Sequence, residues 1–330
     1  MKKLVSKSKL IGFIPKMRKV RALVVGDVIL DHYIWGSADR LSPEAPIPVV
    51  LANKEEYFLG GASNVAHNIS ALGAKVSICG TMGADFYSQR LKSLLKNKKI
   101  AQDLLIADKT RPTTLKTRVI AQRQQAVRID WESCEFLSSK VNKEITALIR
   151  KNINKFDVVI IEDYGKGVVN PTLLEELVCL CRKSKTIITV DPKEEHLDYY
   201  KGVTALTPNL KEAEYAVGIK ARNSKDLSML AKMLLDRLNP QALLITLGDK
   251  GMKLFLEGGK SFHLPTYALE VFDVSGAGDT VIAVFSLALA SGASFLEAAA
   301  LSNFAAGIVV GRLGVAVTNP AELKKKILSH

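Results

Sequence analysis

The sequence is poor in the residues that mark membrane-spanning, disulfide-rich and nucleic-acid-binding proteins. Aromatic residues make up only 6% of its 330 positions. The longest uncharged apolar stretch near the C-terminus, residues 281–293, is shorter than the roughly 18–20 apolar residues that a membrane-spanning helix needs. The four cysteines include no C-x2-C pair, and the five histidines are scattered. We therefore expect no disulfide framework and no metal bound directly by a dedicated cage.

The N-terminal segment, residues 1–17, lacks the features of a secretory signal. Lysines interrupt each of its short apolar runs, so it has no continuous apolar core of the kind found in signal peptides. We interpret this segment as a basic, partly disordered extension that precedes a single domain over residues 18–330. Without an export signal, the cytoplasm is the expected compartment.

The chain has an excess of basic residues, with 46 Lys and Arg against 33 Asp and Glu and a formal net charge of +13. Binding to nucleic acid would be one explanation. However, the basic residues are spread along the chain, and few aromatic side chains are available to stack on bases. A lysine-rich solvated surface explains most of this charge, and an anionic small substrate suits it equally well. We expect neither a nucleic-acid partner nor a membrane partner.

Apolar runs alternate with helical patterns along most of the chain. Runs without polar alternation predict buried strands at residues 20–25, 75–79, 158–161, 187–190, 205–207 and 243–247. Helical periodicity follows many of them, at residues 63–72, 85–95, 171–181, 211–217 and 224–238. This alternation predicts an α/β fold with a mostly parallel sheet that helices cover on both faces. Ligands bind such sheets beyond the carboxyl ends of the strands.

Two segments interrupt this alternation, at about residues 31–59 and 113–130. The first contains three prolines in SPEAPIPVV, and the second alternates apolar and polar residues as half-buried strands do. We predict that both contribute strands to a small extra sheet, a lid over the substrate site. Because the edges of an exposed sheet need protection, we expect a homodimer that pairs the two lids.

The strongest motif is DVSGAGDT at residues 273–280, directly before an apolar helix. Gly276, Ala277 and Gly278 would leave backbone N–H groups unobstructed at the N-terminus of that helix, where a phosphate is stabilised. Asp279 lies in the first turn beside this anion hole. It could accept the proton of an attacking hydroxyl group during phosphoryl transfer. The alternative is that Asp279 only stabilises the positive end of the helix.

Two further motifs could bind a polyhydroxylated substrate. Gly60 and Gly61 precede a predicted helix and allow a ligand to approach the backbone closely. Asn64 offers a donor and an acceptor to neighbouring hydroxyl groups. Asp27 directly follows the first strand and could accept hydrogen bonds from a sugar, whereas Asp31 is the weaker candidate. The alternatives are a helix cap for Asn64 and a turn for Asp27.

A nucleotide site is indicated by two other strand ends. Asn209 and Glu212 are three residues apart at the start of a predicted helix, so they share a face and could hold hydrated Mg²⁺ over nucleotide phosphates. The same N-x-x-E spacing also forms a capping box, and both interpretations remain open. Thr246 and Gly248, with Gly251 nearby, end another strand and could pass beneath a nucleotide.

Charged residues beside tight turns and in the lid complete the candidates. Asp163 lies in the segment EDYGKG, and the lysines of this segment and of DPK stand at strand ends. Guanidinium groups suit bidentate contact with a phosphate group on a substrate. The alternative is that these cations are surface charges. The candidate cations are Arg118, Arg123, Arg128, Lys166 and Lys193.

GGASN, TPNLKE and DVSGAGDT together resemble the signatures of the ribokinase-like sugar kinases, also called the PfkB family. The resemblance covers about residues 20–319. It implies a ribokinase-like three-layer α/β/α fold with a small β-lid, and ATP and Mg²⁺ as cofactors. It also implies Asp279 as the catalytic base, the amides of residues 276–278 as the anion hole, and an ATP–magnesium site at Asn209 and Glu212. The sugar would be held by Asp27, Gly60, Gly61 and Asn64.

Within this family, the segments GDVILDHYIWGSADRLSPEAPIPVV, EDYGKG, DPK and LTPNLKE look like the kinases of D-glycero-β-D-manno-heptose 7-phosphate. These enzymes phosphorylate the anomeric (C1) hydroxyl to give the 1,7-bisphosphate, a precursor of ADP-heptose and the lipopolysaccharide core. They are often fused to an adenylyltransferase, and we expect the stand-alone form here. Ser275 stands where the family usually has threonine and keeps the hydroxyl group. The alternatives are a kinase for ribose, fructose or 2-keto-3-deoxygluconate, or a non-catalytic sugar or nucleotide sensor on the same fold.

Overall fold

Two β-sheets are present in the computed structural model, which describes residues 5–122, 124–268, 270–312 and 314–330. The strands are β1 (Arg21–Gly26), β2 (Val28–Leu41), β3 (Pro48–Gly61), β4 (Lys75–Met82), β5 (Ala101–Ala107), β6 (Thr114–Ala121), β7 (Gln124–Trp131), β8 (Val158–Glu162), β9 (Ile187–Asp191), β10 (Ala205–Leu206), β11 (Ala242–Thr246), β12 (Met252–Leu256) and β13 (Ser261–Leu264).

The larger sheet has the strand order β13-β12-β11-β10-β9-β8-β1-β4-β5. Its strands are parallel from β11 to β5, and β12 and β13 are antiparallel additions at one edge. The central strands β1 and β8 are apolar on both faces and buried, as expected when helices cover a parallel sheet on both sides. The parallel register aligns the carboxyl ends of β1, β8 and β9, where Gly26 pairs with Glu162 and Glu162 pairs with Asp191.

Helices cover both faces of this sheet. They are α1 (Lys7–Met17), α2 (Ala62–Ala71), α3 (Phe86–Asn97), α4 (Ser139–Asn152), α5 (Pro171–Ser184), α6 (Leu210–Val217), α7 (Ser224–Leu238), α8 (Ala277–Ala290), α9 (Phe295–Val309) and α10 (Pro320–Leu328). One core contains side chains of α1, α2, α3, α8, α9 and α10, and the other contains side chains of α4 to α7. The predicted three-layer α/β/α architecture is confirmed. None of the helices in the described ranges is long and apolar enough to cross a bilayer.

The N-terminal segment differs from the prediction. Residues 7–17 form α1, whose apolar side chains recur at the spacing of one helix face and pack against α8, α9 and α10. Leu10, Phe13, Ile14 and Met17 are buried in the core. The expectation of a partly disordered extension is therefore wrong for this helix, because its apolar face contributes to the hydrophobic core. Residues 1–4 lie outside the described residues.

The smaller sheet is the predicted lid, with the strand order β3-β2-β6-β7. The two segments predicted at residues 31–59 and 113–130 supply its strands, although β2 and β3 extend further into the body of the protein than predicted. β2 begins two residues after β1 ends, so the lid is connected directly to the carboxyl edge of the large sheet. This connection puts lid side chains next to the strand-end residues. Arg123 lies outside the described residues.

Candidate active site

The N-terminus of α8 separates two cavities. The first, of about 270 Å³, lies towards the lid and is here called the polar cavity. Its lining includes Asp31, Asn64, Arg118, Tyr164, Gly276 and Asp279. The second, of about 490 Å³, is here called the apolar cavity, and its lining includes Thr246, Gly248, Gly251, Ala277, Gly278 and Val310. Consecutive residues of one turn thus border both cavities, which allows a group to pass from one to the other across this turn.

Asp279 is buried at this junction and is held by two donors. The Asn64 side-chain amide donates to Oδ2, and the Tyr164 hydroxyl donates to Oδ1 at 3.1 Å. Burial raises the pKa of Asp279 to about 6, while these two hydrogen bonds oppose the rise because they favour the ionised form. A carboxylate with this pKa is ionised at neutral pH and can accept a proton from a hydroxyl group in the polar cavity.

The backbone before Asp279 forms a tight turn. Gly276 has a φ of +75°, a backbone conformation that favours glycine. A Cβ atom there would also lie 2.8 Å from the side-chain nitrogen of Asn64, so the available space favours glycine as well. The Ala277 N–H already donates to the Val274 carbonyl oxygen at 3.2 Å. Of the predicted anion-hole amides, those of Gly276 and Gly278 are therefore better placed to receive an anion.

A cluster of carboxylates lies on the strand side of this turn. Oxygen atoms of Glu162, Asp191 and Asp279 all lie within 4.8 Å of one another. Burial raises the pKa of Glu162 and of Asp191 well above the usual range, and the neighbouring carboxylates raise both further. Oε2 of Glu162 is buried without a hydrogen-bond partner. Such a cluster is costly unless a cation neutralises it.

From the sequence we placed Glu162 and Asp191 at strand ends beside tight turns but assigned neither to a metal, and we expected no dedicated metal cage. Each of the two residues directly follows a predicted buried strand and ends the observed strand, and they pair in register on neighbouring parallel strands. The sequence shows that each carboxylate stands at a strand end. Their convergence depends on β8 and β9 being neighbours in the sheet, which only the structure shows. The oxygen-only donor set suits a hard divalent cation such as Mg²⁺. Both oxygens of Asp279 already accept hydrogen bonds, so Glu162 and Asp191 are the better-placed ligands.

The structure reverses the predicted roles of Asp27 and Asp31. Asp27 is 1% exposed, and its carboxylate accepts hydrogen bonds from the backbone N–H groups of Tyr164, Lys166 and Val168 at 2.9, 2.9 and 3.2 Å. Since these donors occupy it, a role of Asp27 in gripping the sugar is not supported. Asp31 borders the polar cavity instead.

The predicted glycine pair lies beside these carboxylates. A side chain on Gly60 would collide with the carboxylate of Asp31, and a Cβ atom on Gly61 would lie 2.6 Å from the backbone oxygen of Asp27. Both glycines line the polar cavity, together with Asn64. The pair is thus needed for local packing at the cavity wall, and a direct contact with substrate stays a prediction.

Three other predicted substrate residues are engaged elsewhere and are absent from the lining of the polar cavity. The side chain of Asp163 is fully buried and accepts a hydrogen bond from the Tyr200 hydroxyl at 2.6 Å. Lys166 forms an ion pair with Glu132 at 2.6 Å. Lys193 pairs with its neighbours in sequence, Glu194 and Glu195. A direct substrate role for the three is not supported, because local partners satisfy their charges.

The lid supplies three cations to the polar cavity. Arg118 forms an ion pair with Asp31, and Arg128 forms one with Asp130 at 3.0 Å. Lys116, which we did not predict, also lines this cavity and lies 3.3 Å from Glu132. Lys116 and Arg118 are two residues apart on β6 and so share a face of the lid, and Arg128 on β7 pairs with Arg118 across the two strands.

The residues predicted to bind the nucleotide lie at the start of α6 and at the end of β11. Asn209 and Glu212 form a capping box at the start of α6, with the Asn209 N–H donating to Glu212 at 2.7 Å. Burial nevertheless raises the pKa of Glu212 to about 7, and its charge acts on both Glu162 and Asp191. Glu212 therefore belongs to the electrostatic environment of the carboxylate cluster as well as to the cap. The predicted strand-end residues of β11 line the apolar cavity.

Solved structures with the same fold include a ribokinase and a phosphofructokinase. The structure of Arabidopsis thaliana ribokinase complexed with ribose and ATP matches with a TM-score of 0.75 and 20% identity, over 94% of this chain and 99% of that chain. The structure of phosphofructokinase-2 from Escherichia coli in complex with substrates and products matches with a TM-score of 0.77 and 16% identity, over 94% and 99% of the two chains. At these identities the matches establish the fold alone.

Curated relatives are much closer in sequence. The bifunctional protein HldE of Geobacter sulfurreducens is 45% identical over 304 residues, which is 92% of this chain and 62% of that protein. The HldE of Desulfatibacillum aliphaticivorans is 46% identical over 307 residues, 93% of this chain and 63% of that protein. The chain thus spans less than two thirds of the length of these relatives. The profile of the pfkB family carbohydrate kinases matches residues 21–322. This match covers both cavities and the turn between them, and the chain belongs to the pfkB family of carbohydrate kinases.

Proposed function

We propose that this protein is an ATP-dependent kinase that transfers the γ-phosphoryl group to a sugar hydroxyl across the N-terminus of α8. The observation that carries the proposal is the arrangement of the two cavities around one turn. The apolar cavity suits the base and ribose of a nucleotide, and the polar cavity suits a hydroxylated, anionic substrate. Asp279 lies on the polar side, where the acceptor hydroxyl would bind.

In the proposed mechanism the transfer is direct and forms no phosphoenzyme. Asp279 takes the proton of the acceptor hydroxyl as the oxygen attacks the γ-phosphorus and the bond to ADP breaks. The amides of Gly276 and Gly278, with that of Ala277 after rearrangement of its hydrogen bond, stabilise the phosphoryl oxygens at the positive end of α8. The lid would exclude water, which otherwise competes with the sugar for the phosphoryl group.

The carboxylate cluster fits Mg²⁺, which the fold family implies. Glu162 and Asp191 would hold the ion, with Glu212 adding negative charge nearby. When bound, Mg²⁺ supplies positive charge that neutralises the nucleotide phosphates. Ion binding would also relieve the repulsion among these buried carboxylates, and it would satisfy the unpartnered oxygen of Glu162.

We propose D-glycero-β-D-manno-heptose 7-phosphate as the substrate and its anomeric hydroxyl as the acceptor. The motif resemblance and the identity to HldE proteins support this choice. The polar cavity adds a physical reason, because Lys116, Arg118 and Arg128 line it and could bind the 7-phosphate. The product would be the 1,7-bisphosphate, a precursor of ADP-heptose for the lipopolysaccharide core.

The test is ADP release by the purified protein with ATP and Mg²⁺. The panel contains the heptose 7-phosphate, ribose, fructose, fructose 6-phosphate and 2-keto-3-deoxygluconate. We expect turnover with the heptose phosphate alone. Turnover on another sugar would keep the kinase and refute the substrate. Binding without turnover on any sugar would favour a sensor.

We also propose that two chains pair through their lids in solution. Leu51 on β3 and Trp131 on β7 are 73% and 60% exposed, and both strands are edges of the lid sheet. Pairing would remove these apolar side chains from water and cover an edge. Light scattering should give a dimer mass for the unaltered chain and a monomer mass for Trp131→Glu. The cytoplasm is the proposed compartment, because ATP is available there.

A further inference from the structure

Tyr164 is the one hydroxyl donor to Asp279 in the described part of the chain, and it takes no part in the phosphoryl-transfer steps proposed for Asp279. It lies in the segment between β8 and α5, two residues after Glu162 at the end of β8. Its hydroxyl lies 3.1 Å from Oδ1 of Asp279, and the residue, which lines the polar cavity, is 37% exposed. The other oxygen of Asp279 accepts from Asn64.

Buried carboxylates hold the backbone of Tyr164 and of the residues that follow it. Asp27 accepts the N–H groups of Tyr164, Lys166 and Val168, and Asp163 accepts the N–H group of Gly165 at 2.8 Å. Hydrogen bonds to ionised acceptors are stronger than neutral ones, so four of them fix this short segment firmly. Burial, and then repulsion from the neighbouring Asp163, raise the pKa of Asp27 to about 6, although the three backbone N–H donors oppose this rise. The fold tolerates this cost to keep the segment in one conformation.

We propose that Tyr164 is a positioning residue for the catalytic base, and that Asp27 acts one step behind it by fixing the Tyr164 backbone. With Asn64 on one oxygen and Tyr164 on the other, the carboxylate of Asp279 cannot rotate freely. Each oxygen keeps a lone pair, and the fixed orientation presents one of them to the polar cavity. The inference rests on the proposed function, because it assigns Asp279 as the base.

The test is Tyr164→Phe, which removes the hydroxyl group and keeps the ring. We expect kcat at pH 8 to fall by about tenfold, because the base loses its fixed orientation, while KM for the sugar changes less than about twofold. The hydroxyl donates to the ionised form of Asp279 and therefore lowers its pKa. Its removal should raise that pKa, and the acid limb of the kcat/KM profile should move to higher pH by about one unit.

A control and a second measurement separate the possible outcomes. Tyr215→Phe makes the same chemical change on the exposed face of α6 and should leave kcat and the pH profile unaltered. The titration of Asp279 is also followed directly by NMR of protein labelled at the aspartate carboxyl carbons. The signal is assigned by its loss in Asp279→Asn. This measurement needs no turnover, so it remains informative if the proposed kinase activity is absent.

The expected result is an upward move of the Asp279 midpoint in Tyr164→Phe, in both the titration and the kinetics. An unmoved midpoint would overturn the inference whether or not the protein is an active kinase. A raised KM with unchanged kcat and an unmoved acid limb would also overturn it, since Tyr164 would then be a substrate ligand. If the midpoint moves but no sugar is turned over, the Tyr164 contact is upheld and the proposed function fails.

Discussion

Replacing Asp279 by Asn should abolish most turnover and at the same time stabilise the fold. Asp279 is buried, and burial raises its pKa from 3.8 to about 6. The folded protein therefore binds more protons than the unfolded chain between these two pH values, and stability is lost as the pH rises through this window. Above it, the ionised group costs about 3 kcal/mol, since each pKa unit corresponds to about 1.4 kcal/mol.

The amide variant carries no charge and so avoids this cost. Asn64 can rotate its side chain to offer Oδ1, which is buried without a partner, to the new amide group. At neutral pH we expect Asp279→Asn to raise the free energy of unfolding by up to about 3 kcal/mol. Turnover should fall by about 10²–10⁴, the usual contribution of a general base, with KM for the sugar largely kept.

Urea unfolding and ADP release measured on the same preparations test both expectations. Asp236→Asn on the exposed side of α7 is the matched control and should change neither quantity. Turnover within about threefold of the unaltered protein would refute Asp279 as the base, given the contribution expected of such a group. A folded variant that is less stable at neutral pH would refute the electrostatic argument, even if turnover were lost.

Three further outcomes are expected. Glu162→Gln should raise the Mg²⁺ concentration needed for half-maximal turnover by at least about tenfold, because one charged ligand is lost; an unchanged Mg²⁺ dependence would remove Glu162 from the metal site. Gly276→Ala should lower the melting temperature and turnover together, since the Cβ atom would lie 2.8 Å from the Asn64 side chain at a φ of +75°; normal values of both would contradict the tight packing of this turn. Phe13→Ala should cost about 3 kcal/mol in urea unfolding, whereas no loss would mean that α1 contributes little to the core.

Local sequence patterns predicted the elements of this fold well where the periodicity was strong. The helix predicted at residues 224–238 has the same bounds as α7, and strands such as β8 and β9 differ from prediction by a single residue. The lid followed from apolar and polar alternation at residues 113–130. The segment of α1 was misjudged because its lysines mask a short apolar face. That face is stable as a helix only when α8, α9 and α10 cover it.

The sequence by itself determined the family, the α/β class and the base candidate, because these depend on residues that are consecutive in the chain. DVSGAGDT places glycines, an aspartate and a helix N-terminus together without any tertiary contact. The residues singled out at the end of β11 line the apolar cavity, and their contact with a nucleotide stays a prediction.

Only the tertiary structure decided which charged residues share a site. Asp27, Glu162 and Asp191 are equivalent in sequence, since each follows or ends a buried strand. In the fold, backbone N–H groups of a distant segment occupy Asp27, whereas Glu162 and Asp191 converge on Asp279 from neighbouring strands. Asp31, and not Asp27, lines the polar cavity, because Asp31 lies on β2, which belongs to the lid sheet. The physical reason is that hydrogen bonds and charge–charge interactions depend on which residues are close in space. Strand order and register determine this closeness, and separation along the sequence does not.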